Sequence, residues 1–505
     1  MAPLPPLMGI SPARAEPVEQ SSGGAVREGL AWAVCALVVA LGLPPFMRMP
    51  LWADVTLYDL AARNLLHGGV HYRDVFDSNL PGMVWAHVLI RWAGGFGPGW
   101  IRAVDLAVWA GTAWLLQALV PAPRAARVGL VAAWGACYLG SSEWCHVQRD
   151  VWMLAPALAA LHLRRAGWAV AEGALWGIAF WIKPFVLLPA LAVEWAWRAP
   201  GLGARVAGGA AVVAGGIAWV ICAGSGPWLV DVLTVWDAGY FDRDVGPALR
   251  TVPLLVRLFP WGLVHLVALP AALDALRRPG TESGAAGRIE TRGVAALYLG
   301  WVAQALYLQR AHDYVIMPLH ALGLAVAVGR LAQRPARGGW LFAAGLAALA
   351  TGWSPLVAPV RLTAWWDCVH GPSTPELADR MALKHGPDAT CWTDLAAVAR
   401  HLTAARDGEV LCLGNGTHPL YLILGVRPAS RFLHLGTVLS AFPHRRATVL
   451  AELKACRPRW LVVDTEADPA GSRNVEAWPW NQPLEHVCGR YEVRRAERMD
   501  VDEIR

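Results

Sequence analysis

The 505-residue chain is predicted to fold as a polytopic α-helical membrane protein of about 11 transmembrane helices with a small exoplasmic α/β domain at its carboxy end. Three observations predict this. Charged residues make up only 16% of the chain against 56% hydrophobic, where soluble domains carry about a quarter charged. The mean hydropathy of +0.37 is spread over many long apolar runs, as a series of spanning helices requires. Beyond about residue 359, turns, charges and short β-type runs replace the apolar stretches. A disordered or fibrous chain is excluded.

Residues 1–28 hold five prolines and no apolar period, which predicts a flexible cytoplasmic tail. The run at about 30–47 lacks a small-residue cleavage pattern, so it reads as a first spanning helix rather than a removed signal. Ten further spans are expected at about 101–120, 127–142, 151–163, 168–181, 184–198, 206–224, 250–273, 293–308, 313–330 and 338–358, within a transmembrane domain of residues 29–358. Residues 82–95 are apolar but only 14 long and interrupted by His87 and Arg91, so they fit a helix lying at the interface, inside a first exoplasmic loop 48–100. The loops at 121–127, 163–167, 198–205, 274–292 and 330–337 then hold 13 arginines against three acids. By the positive-inside rule they are cytoplasmic, and the amino terminus is inside. The chain reads as a multi-pass protein of the inner membrane, with residues 359–505 on the exoplasmic side.

In that last part GEVLCLG (408–414) and RWLVVDT (459–465) read as strands and 444–458 as a helix between them. Nine cysteines show no CxxC and no Cys/His cluster, so no metal or cofactor is expected. The five cysteines beyond 359 allow at most two internal disulfides, in a pairing that spacing does not give. Topology accounts for the formal charge of +6, and nucleic acid is not an expected partner.

On this topology the ionisable residues collect at one face, where they are costly unless paired or used. Asp54 directly follows the first span and opens a predicted helix over 55–67 ended by Gly68-Gly69, with Tyr58 on its periodic face. It suits either a general base near the interface or a helix N-cap. The second loop, SSEWCHVQRD, offers Glu143 and Asp150 as further acids and Arg149 as a bidentate phosphate clamp. Asp150 has a second reading, orienting Arg149 or capping the following helix. Lys183 either snorkels or supplies a point charge to an anionic ligand, and LQRAHDYVIMP (308–318) adds Arg310 and His312. Cations to hold a phosphate beside acids to activate a hydroxyl are what group transfer off a lipid phosphate needs. Asp77, Trp236 and Tyr240 are the candidates, with Tyr58, for contacts to a sugar or acceptor.

Four stretches occur in order: Asp54 with Tyr58 and the YRDVFDSNLPG strap, HVQRD (146–150), WIKP (181–184) and LQRAHDY (308–314). In these the chain resembles the integral-membrane glycosyltransferases of the C-type fold, in particular bacterial relatives of the protein O-mannosyltransferases and of the lipid A aminoarabinose transferase. The resemblance implies a polyprenyl-phosphate-linked sugar donor, inverting transfer to an acceptor hydroxyl at the outer face, and a first-loop aspartate beside the acceptor. Carried onto this sequence, Asp54 matches that aspartate, Glu143 or Asp150 the second-loop acid, and Arg149, Lys183 and Arg310 the phosphate side. The chain departs from the family in lacking an acid directly after the first aspartate, where Val55 and Thr56 stand. The acceptor is left open as a glycan, a lipid or a protein. The rival readings are a transporter or flippase of a lipid-linked or anionic substrate, and a non-catalytic membrane scaffold. The polar residues lie at span ends, whereas transporters favour the midplane.

Overall fold

A computed structural model of the protein describes residues 22–237, 259–277, 285–309, 312–333, 337–383, 389–466 and 482–496. Every predicted span falls on a helix, with the part of 250–273 before residue 259 outside the described residues. These helices are α1 (Ser22–Arg48), α4 (Pro98–Ala118), α5 (Arg124–Leu139), α7 (Leu154–Ala166), α8 (Ala169–Ile182), α9 (Leu187–Ala196), α10 (Leu202–Cys222), α12 (Val264–Arg277), α13 (Ala285–Tyr307), α14 (Asp313–Gln333) and α15 (Arg337–Trp353). Between them lie α2 (Ala53–Leu66), α3 (Gly82–Gly94), the four-residue α6 (Arg149–Trp152) and α11 (Gly226–Asp231). Among the described residues three helices, Gly24–Arg48, Leu202–Cys222 and Asp313–Gln333, are long and apolar enough to cross a membrane.

The helices pack pairwise, α1 on α5, α8 on α10, α9 on α13, and α12 and α13 on α14. Small residues set the closest pair. A β-carbon on Gly173 of α8 would overlap the Arg205 carbonyl of α10, and one on Gly208 of α10 would overlap the Val170 carbonyl of α8. Only glycine lets the two backbones approach this far. Outward faces are apolar, with Trp114, Leu191, Trp219 and Ile221 exposed, a surface that fits lipid better than water.

Two ends of the bundle differ in chemistry. At one, Arg164 pairs with Glu172 and Glu194, Arg205 with Glu194, Arg165 with Glu290 and Arg330 with Asp274, which brings the loops at 163–167, 198–205 and 274–292 together. Glu172 and Glu194 sit inside apolar runs and carry the countercharge for those arginines. At the other end lie α2, α3 and the strap between them. Here α3 is turned inside out relative to a soluble helix: His87 and Arg91 are buried while Leu89 and Trp92 are 68% and 77% exposed. Its buried side grips α2, because Asp59 accepts from Arg91 Nε at 2.6 Å and lies 2.8 Å from His87 Nδ1.

After α15 come α16 (Pro359–His370), which rests on α1, and α17 (Pro375–Met381). Then follow α18 (Trp392–His401), β1 (Val410–Leu413), α19 (Pro419–Leu424), α20 (Leu435–Ala441), α21 (Arg446–Ala455), β2 (Trp460–Asp464), β3 (Leu484–Cys488) and β4 (Tyr491–Arg495). The sheet order is β1-β2-β4-β3, with β1 parallel to β2 and the other pairings antiparallel. β1, β2 and α21 are the elements read from the sequence, and α19 and α20 are additional helices between the two strands. The β3–β4 hairpin is additional. All nine cysteines are free.

Candidate functional site

Asp54 lies in the first turn of α2, two positions inside the helix, so it is not the N-cap; that place belongs to Trp52. Its carboxylate is 25% exposed. Gln148 Nε2 donates to its Oδ2 at 3.2 Å, and Nδ1 of His434 stands 3.7 Å from its Oδ1. One turn further on, Tyr58 is buried.

The second loop reaches this point through an unusual backbone. Val147 has φ +56°, a left-handed conformation costly for a β-branched residue, and is fully buried. The turn sends Gln148 to Asp54 and the following residues into α6. Asp150 is buried, accepts from Lys183 Nζ at 2.6 Å and from Gln309 Nε2 at 3.3 Å. Lys183 also donates to Gln309 Oε1, and Gln309 to Gln304 Oε1. Lys183 therefore does not snorkel: it is buried, with its ammonium fixed by Asp150 and Gln309. The guanidinium of Arg149, by contrast, makes no hydrogen bond or ion pair among the described residues.

Arg149 and Lys183 face a cavity of about 380 Å³, also lined by Asn79, Phe185, Asp237, Gln309, His312 and Tyr314. His312 lies between Trp144 and Tyr314, with ring centroids 5.2 and 5.4 Å away. The charge of Asp54 is felt by Lys183 and Tyr314, and that of Arg149 by Tyr58 and Asp77, so the carboxylate of Asp54 and the cavity share one electrostatic field. Asp77 is buried behind Asn79, which donates to its Oδ1 from the backbone at 3.1 Å, while Oδ2 has no partner. Burial pushes its carboxyl up to about 6, against the opposing pull of Arg149. Burial together with the charge of Asp77 pushes Asp237 up to about 7. Asp237 and two cations thus line one space with Asp77 buried behind its wall, a combination suited to holding a phosphate and moving a proton.

Other candidates are placed differently. Glu143 is buried with its Oε2 accepting from Leu383 N–H at 2.9 Å, and it does not line the cavity. Trp236 is buried in a ring cluster with Phe76, Phe432 and Phe442, where it joins elements rather than lining the cavity. Arg310 and Tyr240 lie outside the described residues. Reading the sequence missed His434 and His418, both from the α/β domain. His418 Nε2 lies 2.9 Å from the Ala53 carbonyl at the start of α2, and the two imidazoles are 4.6 Å apart. Their distance along the chain from Asp54 leaves no local signal.

No protein-family model matches the chain, and no curated protein matches its sequence. Among solved structures, the crystal structure of ArnT from Cupriavidus metallidurans bound to undecaprenyl phosphate matches over 94% of this chain and 98% of that one, at 16% identity and a TM-score of 0.55. The apo state of the same protein matches at 14% identity and a TM-score of 0.42, covering 94% and 99%. A likeness at such identity is one of fold. The chain therefore shares its fold with the ArnT structure bound to undecaprenyl phosphate.

Proposed function

We propose that the chain is a glycosyltransferase that moves a sugar from a polyprenyl-phosphate-linked donor to an acceptor hydroxyl at the outer face of the membrane, with inversion. The observation that carries this reading is the open guanidinium of Arg149 beside the fixed ammonium of Lys183, in a ligand-sized cavity that shares its field with Asp54. In a single displacement the acceptor oxygen attacks the anomeric carbon as its proton passes to Asp54. The bond from that carbon to the phosphate oxygen breaks, and polyprenyl phosphate leaves with the electron pair. Arg149 and Lys183 offset the charge that grows on the leaving phosphate, and Asp150 with Gln309 keeps Lys183 in place. His312, and Arg310 outside the described residues, are further phosphate-side candidates. Tyr58 and Asp77 sit on the sugar and acceptor side. ArnT, a solved structure with a similar fold, was crystallised with undecaprenyl phosphate, which supports a donor of that class.

Membranes holding the protein, incubated with a panel of radiolabelled polyprenyl-phosphate sugars, are expected to release label from one donor. Asp54→Asn is expected to retain less than about a tenth of that turnover, since a positioned base contributes about 10²–10⁴. Equal release of every donor with wild type and variant would refute the enzyme reading.

A further inference from the structure

His434 belongs to the α/β domain, 380 residues along the chain from Asp54, yet its ring is only 11% exposed and its Nδ1 stands 3.7 Å from Asp54 Oδ1. Gln148 holds the other oxygen, so a loop of the helical bundle and a residue of the α/β domain flank one carboxylate from two sides. The neighbouring His418 fixes the approach. Burial, reinforced by the nearby imidazole of His434, holds His418 well below the usual histidine range against its bond to the Ala53 carbonyl, so its neutral ring donates Nε2–H to that carbonyl. This bond ties the domain to the first residue of α2, one position before Asp54. On its own element His434 immediately precedes α20, and its Nε2 is buried without a partner. The titratable groups facing it are Asp54 from α2, Asp77 from the strap and His418 from the α/β domain.

We propose that His434 is a positioning residue for Asp54: the α/β domain supplies the imidazole that orients the base, which is therefore complete only while that domain is seated on α2. The proposal rests on the reading of Asp54 as the base. Removing His434 leaves the base loosely held, and a misplacement of about 1 Å can cost about a hundredfold.

The test uses the full chain in detergent, with the donor that wild type turns over. His434→Ala is expected to lower kcat about 10- to 100-fold with donor KM changed less than about twofold. His434→Gln, which retains an N–H donor at a similar reach, is expected to recover most of the loss. Adding His434→Ala to Asp54→Asn should cost nothing further. Binding of undecaprenyl phosphate, followed by tryptophan fluorescence, reports whether each variant is folded. An unchanged kcat in a folded His434→Ala, no recovery in a folded His434→Gln, or full additivity in the double variant overturns the positioning role alone. Absence of turnover of any donor by wild type overturns the parent reading, and this role falls with it.

Discussion

Asp77 differs from the other acids of its strap in having one carboxylate oxygen buried without a partner. Its carboxyl, ordinarily near 3.8, is held up at about 6 by burial. Between these values the folded chain keeps a proton that the unfolded chain has given up, so the group's contribution to stability falls as pH rises through the window and is flat above it. Asp237, raised to about 7, extends the same trend. Asp77→Asn keeps the oxygen that accepts from Asn79 and removes the buried charge. We expect the variant to be more stable than wild type at pH 7.5, by roughly 3 kcal/mol, with the gain gone near pH 4. A constant offset at both pH values would contradict the assignment. Arg149→Ala tests the cationic side, where donor binding should weaken because no described side chain neutralises that guanidinium. In the sequence the first loop holds four acids, Asp54, Asp59, Asp74 and Asp77, whose spacing does not say which are paired. Burial and partners separate them: Asp59 is locked to Arg91 and His87, Asp74 pairs with Arg73, and only Asp54 and Asp77 keep unfilled acceptor capacity near the cavity.

The α8–α10 seam carries the clearest consequence among the elements. Gly173 faces a backbone carbonyl and has no room for a side chain, whereas Gly203, also on α10's sequence, has nothing within 4 Å of an added β-carbon. Gly173→Leu is expected to lower stability by about 1–3 kcal/mol or more and to weaken donor binding, because α8 ends at Lys183. Gly203→Ala should be nearly neutral, and thermal melts of the two variants in the same detergent decide it. Among the described residues every predicted span falls on a helix, because a long, mostly apolar run has few other stable forms. The β3–β4 hairpin escaped notice for the opposite reason. β3 is exposed along most of its length and β4 alternates with charged residues, so neither shows the apolar run that marked β1 and β2.

At the scale of the molecule the two halves are joined by rings. Phe76 of the strap lies 4.5 Å from Trp236 beyond α11 and 5.3 Å from Phe432 of the α/β domain, with Phe442 5.5 Å from Trp236. Arg431 covers Phe432 at 4.8 Å. Trp236→Ala should cost about 3–5 kcal/mol and loosen the seat of the domain, read as faster proteolytic release of a carboxy-terminal fragment. Unchanged cleavage would show that the rings are not what joins the halves. Sequence could not reveal this junction or the approach of His434 to Asp54, since both depend on residues hundreds of positions apart meeting only after the bundle has formed.

The inverted helix α3 has a consequence for the setting in which the protein works. Its greasy outward side, Leu89 and Trp92, offers a hold for lipid, and its inward clamp on Asp59 would pass any tilt to the helix that bears Asp54. Reconstitution into phosphatidylcholines of graded acyl length should therefore change the rate, and cutting the clamp with Arg91→Met should flatten that dependence. The host bilayer would then act as a mechanical dial on the proton-accepting step.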